Sequence, residues 1–176
     1  MLIVGGGEVA LKKLHSIVQF TKQCTVISPT VIEAVRDLID SYSLEYLPRV
    51  YERGDASGFS LAVVAVSDLD RQKLIGEDVK KCGALCCLVD FPHESDFIFP
   101  ALIHDGELTV AISTNGASCS FAKRLKEEIE KIIPKTSNLF LDNMKKVRIQ
   151  LPKGKERQEI LRKKVADFFA SGGKNY

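Results

Sequence analysis

Apolar and polar residues follow one pattern before Pro92 and another after it. In the first stretch short apolar runs alternate with helical stripes. Leu2-Ile3-Val4 reads as a buried strand, and Ala10, Leu14, Ile17 and Val18 share one helix face opposite Lys12, Lys13 and Gln19. Cys24–Ile27 predicts a second strand. Val31–Ser41 predicts a helix with Ile32, Val35, Leu38 and Ile39 inward, followed by a short strand at Leu44–Leu47 that Pro48 stops. The unbroken apolar run Ser60–Val66 belongs in a parallel sheet covered on both faces. Ser67-Asp68 then suits the cap of a helix over Leu69–Lys81, and Ala84–Val89 is a further buried strand ending at Asp90. After Pro92, the segments 97–104 and 107–113 read as two strands joined by an Asp105-Gly106 turn. A helix beyond Ser118 carries Phe121, Ala122, Leu125, Ile129 and Ile132 as its stripe. Residues 138–169 hold two more amphipathic segments around Pro152-Lys153-Gly154, and Ser171–Tyr176 is expected to fray.

The junction between the first strand and helix carries the first chemical signal. Gly5-x-Gly7-x-x-Ala10 fits the dinucleotide fingerprint: a tight turn, an open approach for the pyrophosphate, and a small residue where helix meets strand. Gly5, Gly6 and Gly7 would form the cradle, with the first-turn N–H groups at Glu8 and Val9 facing the anion. The order strand, glycine turn, helix, strand makes a right-handed βαβ unit with a parallel sheet. Ligands of such sheets bind beyond the carboxyl ends of the strands, so Ser28-Pro29-Thr30, Ser67-Asp68 and Asp90 are expected at one crevice with the glycines. No acidic residue stands at 28–30 to exclude a 2′-phosphate, which leaves NAD and NADP equal on this position. The fold class expected is α/β: a Rossmann-like parallel sheet over 1–92, a hairpin-plus-helix region over 93–136 and a helical C-terminal domain over 137–176. The hairpin is apolar enough to need a partner, so 93–136 is expected to be a dimerisation or packing layer.

Composition narrows the class. The 176 residues, 45% of them hydrophobic, support a real core, and no apolar run reaches the length that spans a bilayer. With no charged-then-apolar leader, a cytoplasmic protein is expected. The five cysteines fit reduced thiols, and adjacent Cys86 and Cys87 would point to opposite faces of a strand, so no metal site is expected there. His15 and His104 read as surface or packing residues. His93, close to Asp90, is the best of the three as a second acid–base or metal-handling group. Residues 1–120 hold 10 Lys+Arg against 16 Asp+Glu, whereas 121–176 hold 15 against 7. A basic tail suits nucleic acid, a membrane surface or a polyanionic small molecule, with solvated helix faces the commoner explanation, and neither nucleic acid nor membrane is the partner expected for the whole chain.

Three stretches together resemble one family: Val4-Gly5-Gly6-Gly7-Glu8-Val9-Ala10-Leu11-Lys12-Lys13, Val89-Asp90-Phe91-Pro92 with Asp96–Ala101, and Val110–Ser118. In order and spacing they are similar to the precorrin-2 dehydrogenases of sirohaem biosynthesis, including the matching region of multifunctional sirohaem synthases. The resemblance spans residues 2 to about 130. It implies a homodimer that uses NAD to oxidise precorrin-2 to sirohydrochlorin, with Fe²⁺ insertion in some members. It also implies that Asp90 is the important aspartate; on chemistry alone Asp90 suits a proton acceptor beside the crevice, or a cap for the turn before Pro92. For a substrate carrying eight carboxylates, Thr114, Asn115 and Gly116, with Lys123 and Arg124 in the next helical turns, are candidate contacts. The chain departs from the family in having Ser118-Cys119 where Ser-Pro is usual, in lacking a lead-in before Leu2, and in a tail that matches loosely beyond Pro134. No appended methyltransferase domain is expected in this length. The competing classes are an NAD-binding regulatory module without catalysis and an iron chelatase without redox activity.

Overall fold

The structure, a computed structural model, describes residues 1–173. It divides into two units, Met1–Phe99 and the part from Pro100 on. In the first unit the chain forms β1 (Leu2–Val4), α1 (Glu8–Val18), β2 (Thr25–Ile27), α2 (Glu33–Tyr42), β3 (Glu45–Leu47), β4 (Leu61–Val64), α3 (Leu69–Lys81) and β5 (Leu85–Leu88). The strands pair in parallel in the order β3-β2-β1-β4-β5. The chain therefore runs outward from β1 through β2 to β3, and resumes on the other side of β1 at β4. That reversal between β1 and β4 is the switch point at which a parallel sheet opens a crevice.

The strands are apolar throughout because both faces are covered. Ile3, Val26, Val63 and Cys87 pack with α1 and α2 through Ala10, Leu14, Ile17, Val35 and Ile39. Leu2, Val4, Ile27, Ala62, Val64, Cys86 and Leu88 pack with Val79 of α3 and with Ala56. Cys86 and Cys87 thus lie in opposite layers, and burial pushes both thiols up, Cys86 to about 12. The α3 face has a helix on one side only. Between β3 and β4 the chain makes turns over 48–60 instead of a helix, pinned by a two-point Arg49–Asp55 pair (2.6 and 2.8 Å) and by Asp78. Asp78 accepts from the Tyr51 hydroxyl (2.7 Å) and the Gly54 N–H (2.8 Å).

β5 is an edge strand, and the segment after it covers that edge. The N–H of Cys86 donates to the Asp96 carboxylate and its carbonyl accepts from the Asp96 N–H, both at 2.8 Å; Ser95 bonds the N–H and carbonyl of Leu88. Phe97 and Phe99 pack on the α1–α2 core, so the division falls after Phe99, where the sequence suggested boundaries at 92 and 136. They belong to no strand, although the sequence suggests one from Phe97.

The second unit contains the antiparallel pair β6 (Ala101–Asp105) and β7 (Leu108–Ile112), then α4 (Cys119–Ile132), α5 (Ser137–Gln150) and α6 (Lys155–Ala170). Asp105 pairs with Leu108, which corrects the expected turn by one residue: the loop is Gly106-Glu107. Gly106, at φ 57°, occupies the first central position that a type II′ turn reserves for glycine. Phe140 of α5 stacks on Phe168 of α6 at 4.2 Å between centroids. At Gly173, within the stretch expected to fray, the carbonyl accepts from the Thr136 hydroxyl at 2.6 Å; residues 174–176 of that stretch lie outside the described residues.

Candidate functional site: a dinucleotide cleft and the Asp90 turn

A cleft of about 550 Å³ opens at the switch point of the first unit. Gly5, Gly6, Gly7, Ser28, Pro29, Thr30 and Ser67 all line it, as the sequence predicts. The three glycines do different things. Gly5, at φ +126°, lies so close to β4 that a Cβ would meet the Ala65 carbonyl oxygen at 2.3 Å. At Gly6 a Cβ would strike the Thr30 carbonyl oxygen at the same distance. A Cβ on Gly7 would meet nothing within 4 Å. Gly5 and Gly6 therefore serve the fold, while Gly7 leaves open space at the helix start. Gly7 is also the N-cap of α1 and offers no side-chain acceptor, so the first-turn amides are left for an anion. This cradle fits a pyrophosphate.

Ser28 is tied into the chain around it by two bonds. Its hydroxyl donates to the Thr30 carbonyl at 2.6 Å, and its own carbonyl accepts from the Tyr46 hydroxyl at 3.0 Å, so the residue shapes the cleft wall. Glu8 and Val9 open α1 but do not line the cleft. Residues that the sequence reading passed over line its other side: Val50, Tyr51, Leu74 and Ile75 form an apolar wall, with Arg71 nearby. The 48–60 turns bring Val50 and Tyr51 there, and no periodic pattern marks such a segment. Asp68 caps α3 by accepting from the Arg71 N–H at 3.0 Å.

Asp90 follows β5 and does not line the cleft itself, yet it is joined to it. Gln72 of α3, wholly buried, accepts from the Asp90 N–H at 3.0 Å and donates to Asp90 Oδ2 at 2.9 Å. The same Gln72 amide donates to the carbonyl of Val66, a cleft residue, at 2.9 Å. The turn beyond is held from α3 as well: Lys73 lies over the Phe91 ring at 4.4 Å and pairs with Glu94 at 3.0 Å. His93 sits in the short 3₁₀ turn Pro92–Glu94 and is exposed. Gln72 was missed by the sequence reading. Its signal was a polar residue on the inward stripe Gln72, Gly76, Val79.

The remaining candidates belong to the second unit. Thr114 closes its loop by accepting from the Ser118 N–H (3.0 Å) and donating to the Ser118 carbonyl (3.1 Å); Asn115 and Gly116 have positive φ. Ser118 caps α4 by accepting from the Phe121 N–H. Lys123 and Arg124 are exposed, and Arg124 pairs with Glu127 (3.3 Å) and Glu128 (2.5 Å) one turn along. That pairing is the ordinary arrangement of a solvated helix face. Among the described residues no three His, Cys, Asp or Glu side chains gather as a metal site. No described helix is long and apolar enough to cross a membrane.

Residues 1–101 match the family model described as putative NAD(P)-binding. The chain belongs to that family. Residues 105–132 match the family model described as sirohaem biosynthesis protein central, a span that takes in β7 and α4. The chain is 34% identical over 163 residues to a siroheme synthase of Methylococcus capsulatus, and 32% identical over 133 residues to one of Chromobacterium violaceum. These alignments take in 90% and 76% of the chain but 34% and 28% of the relatives, so the chain spans about a third of the length of the curated relatives it matches. Among solved structures, SirC, a precorrin-2 dehydrogenase, has the same fold, with a TM-score of 0.78 over 96% of this chain and 85% of its own at 24% identity. The Rossmann-like α/β class and an NAD(P) cofactor are thereby established.

Proposed function

We propose that this chain catalyses the NAD-dependent dehydrogenation of precorrin-2 to sirohydrochlorin in sirohaem biosynthesis. The reading rests on one conjunction: a glycine cradle for a dinucleotide precedes a match to the sirohaem central region in the same chain, which resembles siroheme synthases over most of its length. Loss of two hydrogens from the macrocycle divides into a hydride and a proton, and bound NAD⁺ is the hydride acceptor. Gly7 and the first-turn amides of α1 hold the pyrophosphate. Asp90 takes the proton, its carboxylate oriented by Gln72. Thr114, Asn115, Gly116 and Lys123 are assigned to the substrate carboxylates. Arg124 joins them only by giving up its pairs with Glu127 and Glu128.

The second unit supplies the reading of a homodimer. Phe121 and Ile132 of α4 are 60% and 77% exposed, and a second copy is the occupant assigned to this apolar face. The buried, unpaired thiols of Cys24, Cys86 and Cys87 accord with a reducing cytoplasm.

The test is anaerobic: precorrin-2 and NAD⁺ are mixed with the protein and NADH absorbance is followed. NADH should form, and Asp90→Ala should lower kcat by about 10²- to 10⁴-fold. Absence of NADH at any protein concentration overturns the reading, and NAD⁺ binding without turnover would instead support a regulatory module. Adding Fe²⁺ to the product and following sirohaem formation decides whether iron is a second substrate.

A further inference from the structure

We infer that Gln72 is a positioning residue for Asp90, orienting the carboxylate that receives the proton; the assignment rests on the reaction proposed above. Gln72 is 0% exposed on the stripe of α3 that also buries Gly76 and Val79, and Val79 packs against Ala62, Val64, Cys86 and Leu88 of β4 and β5. A buried amide in such a place is costly unless each of its hydrogen-bonding groups is used. Here they are used on two strand ends at once. Oε1 accepts from the Asp90 N–H, and Nε2 donates to the Val66 carbonyl and to Asp90 Oδ2.

The amide can take only this orientation. A backbone N–H can meet only the amide oxygen, whereas a carbonyl and a carboxylate can meet only the amide nitrogen. Both Nε2 hydrogens are thereby committed. This bond takes one of the acceptor sites of Asp90 Oδ2, and together with the bond from the Asp90 N–H it fixes the orientation in which the carboxylate presents its remaining acceptor sites to a proton. Because Val66 lines the dinucleotide cleft, the same side chain also fixes Asp90 relative to that cleft. A purely packing role would be filled as well by a methionine of similar length, which would link neither strand end.

Two substitutions separate positioning from packing. Gln72→Met removes every bond, while Gln72→Glu keeps an acceptor for the Asp90 N–H, loses the donor to Val66 and sets a second carboxyl against Asp90 Oδ2, so that the two share a proton and Asp90 is less available as its acceptor. Both should lower kcat by about 10- to 100-fold, with KM for precorrin-2 and the Kd of NAD⁺ by fluorescence titration within about twofold of wild type. Amide hydrogen exchange should show the Asp90 N–H deprotected in Gln72→Met and still protected in Gln72→Glu. In an Asp90→Ala background Gln72→Met should cost nothing further, since it acts through the missing carboxylate. Normal NAD⁺ binding verifies folding, and should Gln72→Met fail to fold, the near-isosteric Gln72→Glu carries the kinetic test. Retention of kcat in the folded variants, or a full additive loss in the double variant, overturns the assignment alone. A wild-type chain that binds NAD⁺ but forms no NADH overturns the reaction and this role together.

Discussion

At the scale of single residues, the three glycines of the strand-to-helix turn differ in their surroundings: Gly5 and Gly6 abut backbone carbonyls, and Gly7 faces open space. The spacing Gly5-x-Gly7-x-x-Ala10 made the cradle legible, because only small residues permit that strand-to-helix turn. What spacing could not tell is which glycine serves the fold and which the ligand, since this depends on the distant Ala65 and Thr30 carbonyls. The division gives a two-sided prediction. Gly5→Ala places a methyl in a left-handed conformation against backbone and should cost about 3 kcal/mol or more in a denaturant melt. Gly7 has φ −95°, and its Cβ would stand in open space, so Gly7→Ala should change stability by no more than about 1 kcal/mol. Its NAD⁺ affinity should nevertheless fall by about tenfold or more, or about 1.4 kcal/mol. Wild-type affinity in Gly7→Ala would place the pyrophosphate elsewhere. Gln72 and the internal bond of Ser28 stayed hidden for the same reason as the glycine roles: side-chain partners lie 18 residues away or are the backbone itself.

At the scale of elements, the parallel strands and the helices facing them were legible because burial on both faces leaves near-continuous apolar runs. The 48–60 connection was not, since it has no period at all and is held by polar groups. Arg49 beside Asp55 holds that carboxyl below its usual range. The Gly54 N–H and then the Tyr51 hydroxyl do the same for Asp78, and burial, then Asp78, push the Tyr51 phenol up so that it remains a donor. The sign follows from linkage. A carboxyl lowered in the folded state contributes stability that is fully present above its unfolded value of 3.8 and disappears as pH falls through the folded value. Stability should therefore drop as pH falls below about 5, and Asp78→Asn, which cannot titrate, should flatten part of that drop. At neutral pH Asp78→Ala, which strands the Tyr51 hydroxyl and the Gly54 N–H, should cost about 2 to 3 kcal/mol. Denaturant midpoints measured across the acid range decide it; an Asp78→Asn curve parallel to wild type would count against the role given to Asp78.

At the scale of the whole molecule, each unit reads differently from its own surface. The stripe Phe121, Ala122, Leu125, Ile129 and Ile132 was legible as an amphipathic helix, but of these only Ala122 is buried, while Phe121, Leu125 and Ile132 remain substantially exposed. Periodicity shows that a face is apolar and is silent on what covers it. Large apolar side chains at 60% and 77% exposure on one helix are more than scattered surface residues, and a homodimer would bury them. Burying a side chain of this size contributes about 1.5 to 3 kcal/mol, so Phe121→Lys combined with Ile132→Lys should weaken self-association by about 10²-fold or more. Sedimentation at micromolar concentration should show the wild type at twice the chain mass and the double variant as a monomer. The variant's thermal unfolding, measured above and below the dissociation constant, should lose its dependence on protein concentration, as mass action requires once the partner is gone. A wild type that sediments as a monomer, or a double variant that remains a dimer, would take α4 out of the interface.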